Sequence, residues 1–183
     1  MKNIEVEIRS FISKEEYEKL LKFFKEKAKL IKEDYQESFY FDCDQDLRIQ
    51  KNDFYSKVWM KKGNLHDEHR EEIEIKFDKK DFRELEKLFI SLGLNVDIKW
   101  FRKRFEFEWD NITVCLDCTK GYGYIIELEK MSSVEGQEKE FKKLKQKLES
   151  LNVKITSKEE FQKKFNNYKK NWKTLILHDN ISL

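Results

Sequence analysis

The sequence predicts an α+β fold, and two kinds of pattern support this prediction. Many short segments alternate apolar and charged side chains with a period of two, which is typical of antiparallel strands. Other, longer segments carry apolar residues at helical spacing and begin at helix-capping residues. Strands and helices are mixed along the chain, in a total of about eight strands and four helices.

The N-terminal half begins with a strand at residues 3–12, where isoleucine and valine alternate with glutamate and arginine. Ser13 and Glu16 then form a capping box that opens an amphipathic helix to about Leu30. Asn52-Asp53 suits a tight hairpin between two later strands, because both residue types tolerate a positive φ angle. The remaining elements predicted here are strands at 34–42, 46–51, 54–62 and 70–77 and a helix at 78–93.

The C-terminal half contains the clearest local prediction, a hairpin with Asp110-Asn111 as its two-residue turn. This turn pairs residues whose numbers sum to 221, which puts Arg104 directly opposite Asp117 and places apolar residues together on the other face. The elements predicted here are strands at 100–109, 112–118 and 123–130 and helices at about 132–151 and 157–172.

Composition excludes several classes of protein. Lysine and arginine number 38 against 36 aspartate and glutamate, a net charge of +2, whereas an electrostatic nucleic-acid binder carries a clear basic excess. The sequence contains no apolar run of the ~20 residues that a membrane helix needs. Three cysteines do not make a disulfide framework, so a cytoplasmic location is expected.

The domain organisation is predicted to be simple. The chain has no proline and five glycines, so no linker-like stretch marks a domain boundary. We expect one domain over residues 1–174 and a tail over 175–183. The last helix carries an aromatic stripe amid lysines; packing is the favoured interpretation, and a lid over a binding site is the alternative.

The polar sides of the strands carry long charged side chains of both signs. A sheet with one face in water would explain any single strand. Repeated in strand after strand, the pattern favours a barrel with charged faces inward and helices covering the apolar faces. The basic positions are Arg9, Arg48, Lys61, Arg70, Lys76, Arg102 and Arg104, and the acidic positions are Glu5, Glu7, Glu72, Glu74, Asp117, Glu127 and Glu129.

A charged interior of this kind suits a phosphorylated ligand together with a metal ion. Arginine and lysine bind phosphate oxygens, while clustered carboxylates offer the oxygen ligands that Mg²⁺ or Mn²⁺ prefers. Polyphosphate chemistry uses both, because the metal neutralises charge on the phosphoryl oxygens. A lone C-x-x-C motif, Cys115 to Cys118, does not suit a zinc site, since residues three apart on a strand point to opposite faces.

Short motifs follow one another in a characteristic order along residues 3–172. They are Glu5-Val6-Glu7-Ile8-Arg9, Phe39-Tyr40-Phe41-Asp42, Leu47-Arg48-Ile49, Lys62-Gly63, Arg70-x-Glu72-x-Glu74, Arg102-x-Arg104, Asp117, Gly121-Tyr122-Gly123 and Glu127-x-Glu129. The first motif resembles the E-x-E-x-K signature of the CYTH domain, the triphosphate tunnel metalloenzymes. The ordered set is similar to that family as a whole.

The resemblance implies an eight-stranded antiparallel β-barrel, or tunnel, that binds Mg²⁺ or Mn²⁺ and a triphosphate. Alternation favours Lys61 in this tunnel and adjacency to Gly63 favours Lys62, so both remain candidates. The catalytic residues implied are Glu5, Glu7, Arg9 and Glu72. The metal ligands implied are Glu5, Glu7, Asp117, Glu127 and Glu129. The substrate-binding residues implied are Arg48, Lys61, Lys62, Arg70, Arg102 and Arg104.

Three positions depart from the family pattern. Arg9 stands where the signature has lysine, Arg102 stands where lysine is frequent, and Gly63-Asn64 replaces a common Gly-Pro. None of these changes removes charge from the tunnel. An arginine does exchange a compact donor for a planar fork, however, which bears on the preferred substrate.

The function implied by the resemblance is metal-dependent hydrolysis of a triphosphate: inorganic tripolyphosphate, thiamine triphosphate or a nucleoside triphosphate. A class IV adenylyl cyclase, which makes cyclic AMP and pyrophosphate from ATP, is the alternative enzyme. A non-catalytic polyphosphate-binding module is the third hypothesis. The expected partner is the small-molecule substrate, with no nucleic acid and no membrane, and the chain is expected to be a monomer or a homodimer.

Overall fold

The computed structural model of the chain describes residues 4–61 and 72–179. These residues form eight strands and four helices, in agreement with the predicted α+β class. The strands are β1 (Ile4–Ile12), β2 (Lys29–Phe41), β3 (Asp46–Lys51), β4 (Ser56–Lys61), β5 (Glu72–Phe77), β6 (Val96–Trp109), β7 (Ile112–Thr119) and β8 (Gly123–Ser132). The helices are α1 (Lys14–Lys27), α2 (Phe82–Ser91), α3 (Gln137–Ser150) and α4 (Lys158–His178).

All eight strands belong to one antiparallel sheet in the order β1-β8-β7-β6-β2-β3-β4-β5. Each neighbouring pair is antiparallel, which confirms the predicted strand number and direction. Within the described residues, hydrogen bonds do not close the sheet, because the end strands β1 and β5 are not paired with each other. The tunnel-like fold is therefore formed by a curved sheet with a seam.

The hairpin of β6 and β7 has the predicted register. Trp109 pairs with Ile112 and Arg104 pairs with Asp117. Asp110 and Asn111 adopt positive φ angles of 49° and 59°, as a two-residue turn with the twist of the flanking strands requires. Local turn chemistry and the alternation of side chains were sufficient to predict this element.

The hairpin predicted at Asn52-Asp53 is wrong in its loop length. Lys51 pairs with Ser56, so the loop has four residues rather than two. The Asn52 side chain accepts hydrogen bonds of 2.8 Å from the backbone N–H groups of Phe54 and Tyr55. Asn52 therefore shapes the loop through its side chain and not through a positive φ angle.

Several predicted boundaries differ from the observed ones because long-range contacts override the local pattern. Strand β2 begins five residues before its predicted start at 34, since it pairs with β6 from Lys29 onward, and α1 accordingly ends at Lys27. Helix α4 continues to His178 instead of ending near residue 172, since Leu175 and Ile176 extend its apolar stripe. Residues 175–178 of the predicted tail are thus helical; the single-domain division stays a prediction.

The apolar face of the sheet is covered by helices, as expected. Helices α1 and α3 pack over β1, β6, β7 and β8 around Phe24, Phe107 and Leu148, which are completely buried. Helix α2 covers the other half of the sheet with Phe82 against Phe39. No helix in the described ranges is long and apolar enough to span a membrane.

The opposite face, here named the charged face, holds the polar positions of all eight strands. Asp34, Asp117 and Glu127 are buried on it. Carboxylates on a flat, water-facing sheet would remain exposed, so protein surrounds this part of the charged face, whereas Glu5, Glu7 and Glu74 nearer its edges are exposed. The described side chains on this face that bear on function are Glu5, Glu7, Arg9, Asp34, Gln36, Ser38, Tyr40, Arg48, Gln50, Lys57, Trp59, Glu74, Lys76, Trp100, Arg102, Arg104, Cys115, Asp117, Glu127 and Glu129.

Candidate functional site

Four glutamates predicted as metal ligands lie on neighbouring strands at one side of the charged face. Glu7 on β1 pairs directly with Glu129 on β8, and Arg9 pairs with Glu127. Glu5 precedes Glu7 by two positions and so shares its face. Their common face follows from the alternation of both strands, which the sequence already displays.

Burial and neighbouring carboxylates raise the pKa of Glu7 and of Glu129. Desolvation and the charge of Glu127 raise the pKa of Glu7 to about 7, although Arg9 opposes this shift. Desolvation and the charges of Glu127 and Glu5 raise the pKa of Glu129 to about 8. Repelling carboxylates in a partly dehydrated site are the donor set that a divalent cation stabilises. The chemistry of these residues therefore fits the Mg²⁺ or Mn²⁺ that the resemblance implies.

Asp117 lies beside this cluster and is held by two arginines. Arg104 donates hydrogen bonds of 2.7 Å to each carboxylate oxygen of Asp117, and Arg102 donates one of 3.1 Å. Burial alone would raise the pKa of Asp117, but the two guanidinium groups lower it. Arg104 also donates a 2.8 Å hydrogen bond to Glu127. Asp117 thus links the predicted metal ligands to the predicted phosphate-binding arginines.

The side-chain amides of Gln36 and Gln50 belong to a hydrogen-bond network beside Arg102. Its guanidinium donates to the Gln36 side-chain oxygen through two nitrogens, one of them at 2.9 Å. Gln36 donates to Asp34 at 3.0 Å, and Gln50 donates to Ser38 at 2.9 Å. Gln36, Ser38 and Gln50 did not stand out in the sequence because they carry no charge, although they alternate along β2 and β3 like the charged positions.

Arg48 lies farther along the same face, on β3. It donates hydrogen bonds of 2.5 and 2.6 Å to Asp46. Its guanidinium carbon lies 4.2 Å from the centre of the Tyr40 ring and 5.3 Å from that of Trp59. Two aromatic rings therefore hold Arg48, a residue predicted to bind phosphate, in place.

Strands β4 and β5 add a further basic group to the charged face. Lys57, which the sequence analysis missed, forms a 2.7 Å ion pair with Glu74, and Lys76 lies 3.6 Å from Glu74. Lys57 alternates with Trp59 and Lys61 along β4, a signal that was available in the sequence. Together these residues extend the row of cations past Arg48.

The remaining predicted site residues lie at or beyond the edge of what the structure describes. Lys61 and Glu72 are partners at the ends of β4 and β5, where the backbone alone is described. Lys62 and Arg70 lie outside the described residues. The choice between Lys61 and Lys62 therefore stays open, and the roles of all four residues remain predictions.

Cys115 is a site residue that sequence analysis did not anticipate. Its sulfur lies 4.0 Å from a carboxylate oxygen of Glu129, and one ligand atom each of Cys115, Glu127 and Glu129 lie within 4.8 Å of one another. Burial raises the pKa of the Cys115 thiol well above its ordinary value. Cys118, by contrast, packs in the apolar cluster of the opposite face, as the strand period requires.

Helix α4 packs over one end of the charged face. Tyr168 and Trp172 form an apolar cluster with Ile98, which shares its face of β6 with Arg102. Phe161, at the start of the helix, lies 4.5 Å from Phe11 in ring-centre distance. The predicted aromatic stripe therefore packs as expected, and it does so over one end of the face that carries the site residues.

Comparisons with known proteins agree with this arrangement. Curated protein sequences gave no match. Among solved structures, the PH1819 protein of Pyrococcus horikoshii OT3 has a TM-score of 0.67 at 24% identity, covering 86% of this chain and 97% of its own. HpAC1 from Hippeastrum, described as a proposed adenylyl cyclase that reveals a dominant triphosphatase activity, has a TM-score of 0.62 at 18% identity over 98% of this chain and 100% of its own. These structures share the fold.

One further structure and a family model complete the comparison. A proposed adenylate cyclase from Vibrio parahaemolyticus has a TM-score of 0.65 at 13% identity and covers 89% of this chain and 99% of its own. The family model of the CYTH domain matches residues 3–161, which include every strand described above. The curved antiparallel sheet, its charged face and this match lead to one conclusion: the chain belongs to the CYTH domain family.

Proposed function

We propose that this protein is a divalent-metal-dependent phosphohydrolase that cleaves a triphosphate bound on the charged face. The observation that carries the proposal is the direct contact between a carboxylate cluster and a guanidinium pair, made where Arg104 donates to both Glu127 and Asp117. A site for a polyphosphate and its counter-cation needs both groups side by side.

The acidic and the basic residues would have different roles in this function. Glu5, Glu7, Glu127 and Glu129 would hold Mg²⁺ or Mn²⁺, which when bound neutralises charge on the phosphoryl oxygens. Arg102 and Arg104, fixed in orientation by Asp117 and Gln36, would bind the phosphate chain without first having to reorganise. A carboxylate of the cluster would accept the proton of the attacking water.

More distant cations would bind the other end of the phosphate chain. Arg48, Lys57 and Lys76 lie on the same face as Arg102 and continue the row of positive charge. A triphosphate carries several negative charges along its length, so an extended row of cations suits a triphosphate better than it suits a single phosphate.

Because the three described cysteines are free thiols, we also propose a cytoplasmic location.

The test is release of phosphate from tripolyphosphate, thiamine triphosphate and ATP in the presence of Mg²⁺ or Mn²⁺. We expect metal-dependent turnover that Glu5→Gln combined with Glu7→Gln abolishes. The matched control is Glu15→Gln combined with Glu26→Gln, two exposed glutamates of α1, which should leave turnover unchanged. Turnover that persists without metal, or no release from any of the three substrates, would contradict the proposal.

Adenylyl cyclase activity is the second candidate. It is favoured by similar structures that are named as proposed adenylate cyclases, including those from Vibrio parahaemolyticus and Bacillus halodurans. The same assay separates the two reactions, since a cyclase releases pyrophosphate and cyclic AMP from ATP and no phosphate. Stabilisation by tripolyphosphate without turnover of any substrate would instead indicate a binding module.

A further inference from the structure

Cys115 occupies a position where the strand pattern provides a carboxylate on either side. It lies on β7 and pairs with Glu127 on β8 and with Glu106 on β6. Its side chain is 1% exposed, and its sulfur is 4.0 Å from Glu129. A thiol is thus built into the acidic cluster rather than placed near its rim.

Apolar packing does not account for this cysteine. The apolar core of the sheet is formed by the alternate residues of β7, Val114, Leu116 and Cys118, on the opposite face. Cys115 contributes nothing to that core and is surrounded by charged side chains instead. Its sulfur is therefore available to a ligand that binds on the charged face.

The spacing of the donor atoms matches one shared cation. Bonds of about 2.0–2.3 Å from a tetrahedral Zn²⁺ to oxygen and sulfur hold its ligand atoms about 3.3–3.8 Å apart. The candidate atoms of Cys115, Glu127 and Glu129 lie within 4.8 Å of one another, so small rotations of the side chains would complete such a site. Arg104 donates to only one of the two carboxylate oxygens of Glu127, at 2.8 Å, so Glu127 can offer its other oxygen to a metal ion.

We propose that Cys115 gives the carboxylate cluster a sulfur donor, so that a thiophilic divalent cation such as Zn²⁺ or Cd²⁺ binds there through Cys115, Glu127 and Glu129. Mg²⁺ takes oxygen ligands and gains little from sulfur, whereas Zn²⁺ and Cd²⁺ bind thiolates strongly. On binding, the metal–sulfur bond forms and the thiol proton passes to the solvent. A thiophilic cation therefore displaces Mg²⁺ from the site that supports hydrolysis. The inference rests on the proposed metal site and not on the reaction catalysed there.

The experiment titrates Cd²⁺ into the full chain without substrate and follows the ultraviolet charge-transfer absorption of the cadmium–sulfur bond. Wild type should show this band at one equivalent. Cys115→Ser should lose the band and weaken Cd²⁺ binding about 100-fold or more, beyond the cost of removing an outer-shell partner. Cys118→Ser is the matched control on the same strand, and Cys43→Ser controls for an exposed thiol; both should retain the band.

Each further outcome supports or overturns the inference. No band in wild type, or a band of full intensity in Cys115→Ser, overturns it. Should Cys115→Ser fail to fold, Glu129→Gln with Cys115 intact replaces it, and undiminished Cd²⁺ affinity in that variant is the overturning result. A cadmium band in a protein that hydrolyses no triphosphate would contradict the proposed function and leave this inference intact, and hydrolysis without a band would do the reverse.

Discussion

Asp117 shows how one residue orders the candidate site. It is almost fully buried and accepts hydrogen bonds from both Arg102 and Arg104. Its charge matters to both arginines, because without it Arg102 would lose this ion pair and Arg104 would keep only Glu127 as a counter-charge. The geometry of the two arginines proposed to bind phosphate therefore depends on an anion that need not itself touch the proposed substrate.

Replacing this charge should be costly. We expect Asp117→Asn to lower the free energy of unfolding by about 3–5 kcal/mol, the typical loss when one partner of a buried ion pair is removed. Chemical denaturation measures the loss. Asp110→Asn is the control, because the Asp110 pair with Lys147 is largely exposed on the Asp110 side and should cost less than about 1 kcal/mol. Equal losses in the two variants would contradict the role assigned to Asp117.

The raised pKa values of Glu7 and Glu129, about 7 and about 8, predict an unusual pH dependence. Both carboxyls ionise near 4.5 in the unfolded chain, so between about pH 5 and 8 the folded protein binds more protons than the unfolded one. The free energy of unfolding without metal should therefore fall as the pH rises through this window. Denaturation in the presence of a chelator, at a series of pH values, measures it.

Two comparisons sharpen this pH experiment. Glu7→Gln combined with Glu129→Gln should flatten the dependence, since neither side chain can then titrate. Saturating Mn²⁺ should reverse its sign, because a cation binds the ionised carboxylates and stabilises the folded state more at high pH. A metal-free protein whose stability rises from pH 5 to 8 would show that the two glutamates are not desolvated in this way.

At the scale of elements, helix α4 shows what a sequence pattern leaves undetermined. The spacing of Phe161, Phe165, Tyr168 and Trp172 predicted an apolar stripe, and the stripe exists. Its docking site could not be predicted, because Ile98 and Trp100 lie in a strand whose other face also carries aromatic residues, Phe101 and Phe105 among them. Only the three-dimensional register of β6 shows that α4 packs on the charged side.

The stability of this docking can be tested at Trp172. Its side chain is buried, and its indole nitrogen donates a 2.9 Å hydrogen bond to the Asp97 carbonyl. We expect Trp172→Ala to lower the free energy of unfolding by about 3–5 kcal/mol. Leu177→Ala, on the exposed side of the same helix, should change it by less than about 0.5 kcal/mol. A small effect at Trp172 would mean that α4 is not firmly packed.

The candidate site was predictable wherever alternation and charge coincided. Glu7, Glu127 and Arg104 stand out because each is a long charged residue at a position of strict alternation. Gln36 and Lys57 follow the same alternation but were passed over, the first for lack of charge and the second for lack of a motif. Cys115 could not be placed, since its importance depends on the pairing of β7 with β8.

At the scale of the whole molecule, the near-neutral net charge of +2 conceals a strong local separation. On the charged face, β1 and β8 carry the four carboxylates Glu5, Glu7, Glu127 and Glu129 against Arg9, while the other cations lie from β6 across to β5, interspersed with carboxylates such as Asp34 and Glu74. A metal ion bound to the four glutamates would add positive charge beside the arginines and so favour a polyanion there, and the polyanion would favour the metal ion in return. A metal ion and a polyphosphate bound together compensate both groups of charges.

This separation predicts cooperative binding. Mn²⁺ and tripolyphosphate together should raise the melting temperature by more than the sum of their separate effects, as each ligand strengthens the binding of the other. A slowly hydrolysed triphosphate analogue keeps the measurement at equilibrium. Glu5→Gln combined with Glu7→Gln should abolish the excess, whereas an additive result in the wild type would indicate independent sites.

Strand β6 extends past the end of β7, and this has a consequence for how the protein behaves among copies of itself. Without α4, the carbonyl groups of Asp97 and Lys99 would form an unpaired strand edge, with which a strand of a neighbouring chain could pair. The indole of Trp172 and the phenol of Tyr168 donate to these two carbonyls at 2.9 Å. Tyr168 and Trp172, one helical turn apart, thereby occupy the β6 carbonyl groups to which an additional strand would hydrogen-bond. Helix α4 thus guards the protein against edge-to-edge aggregation.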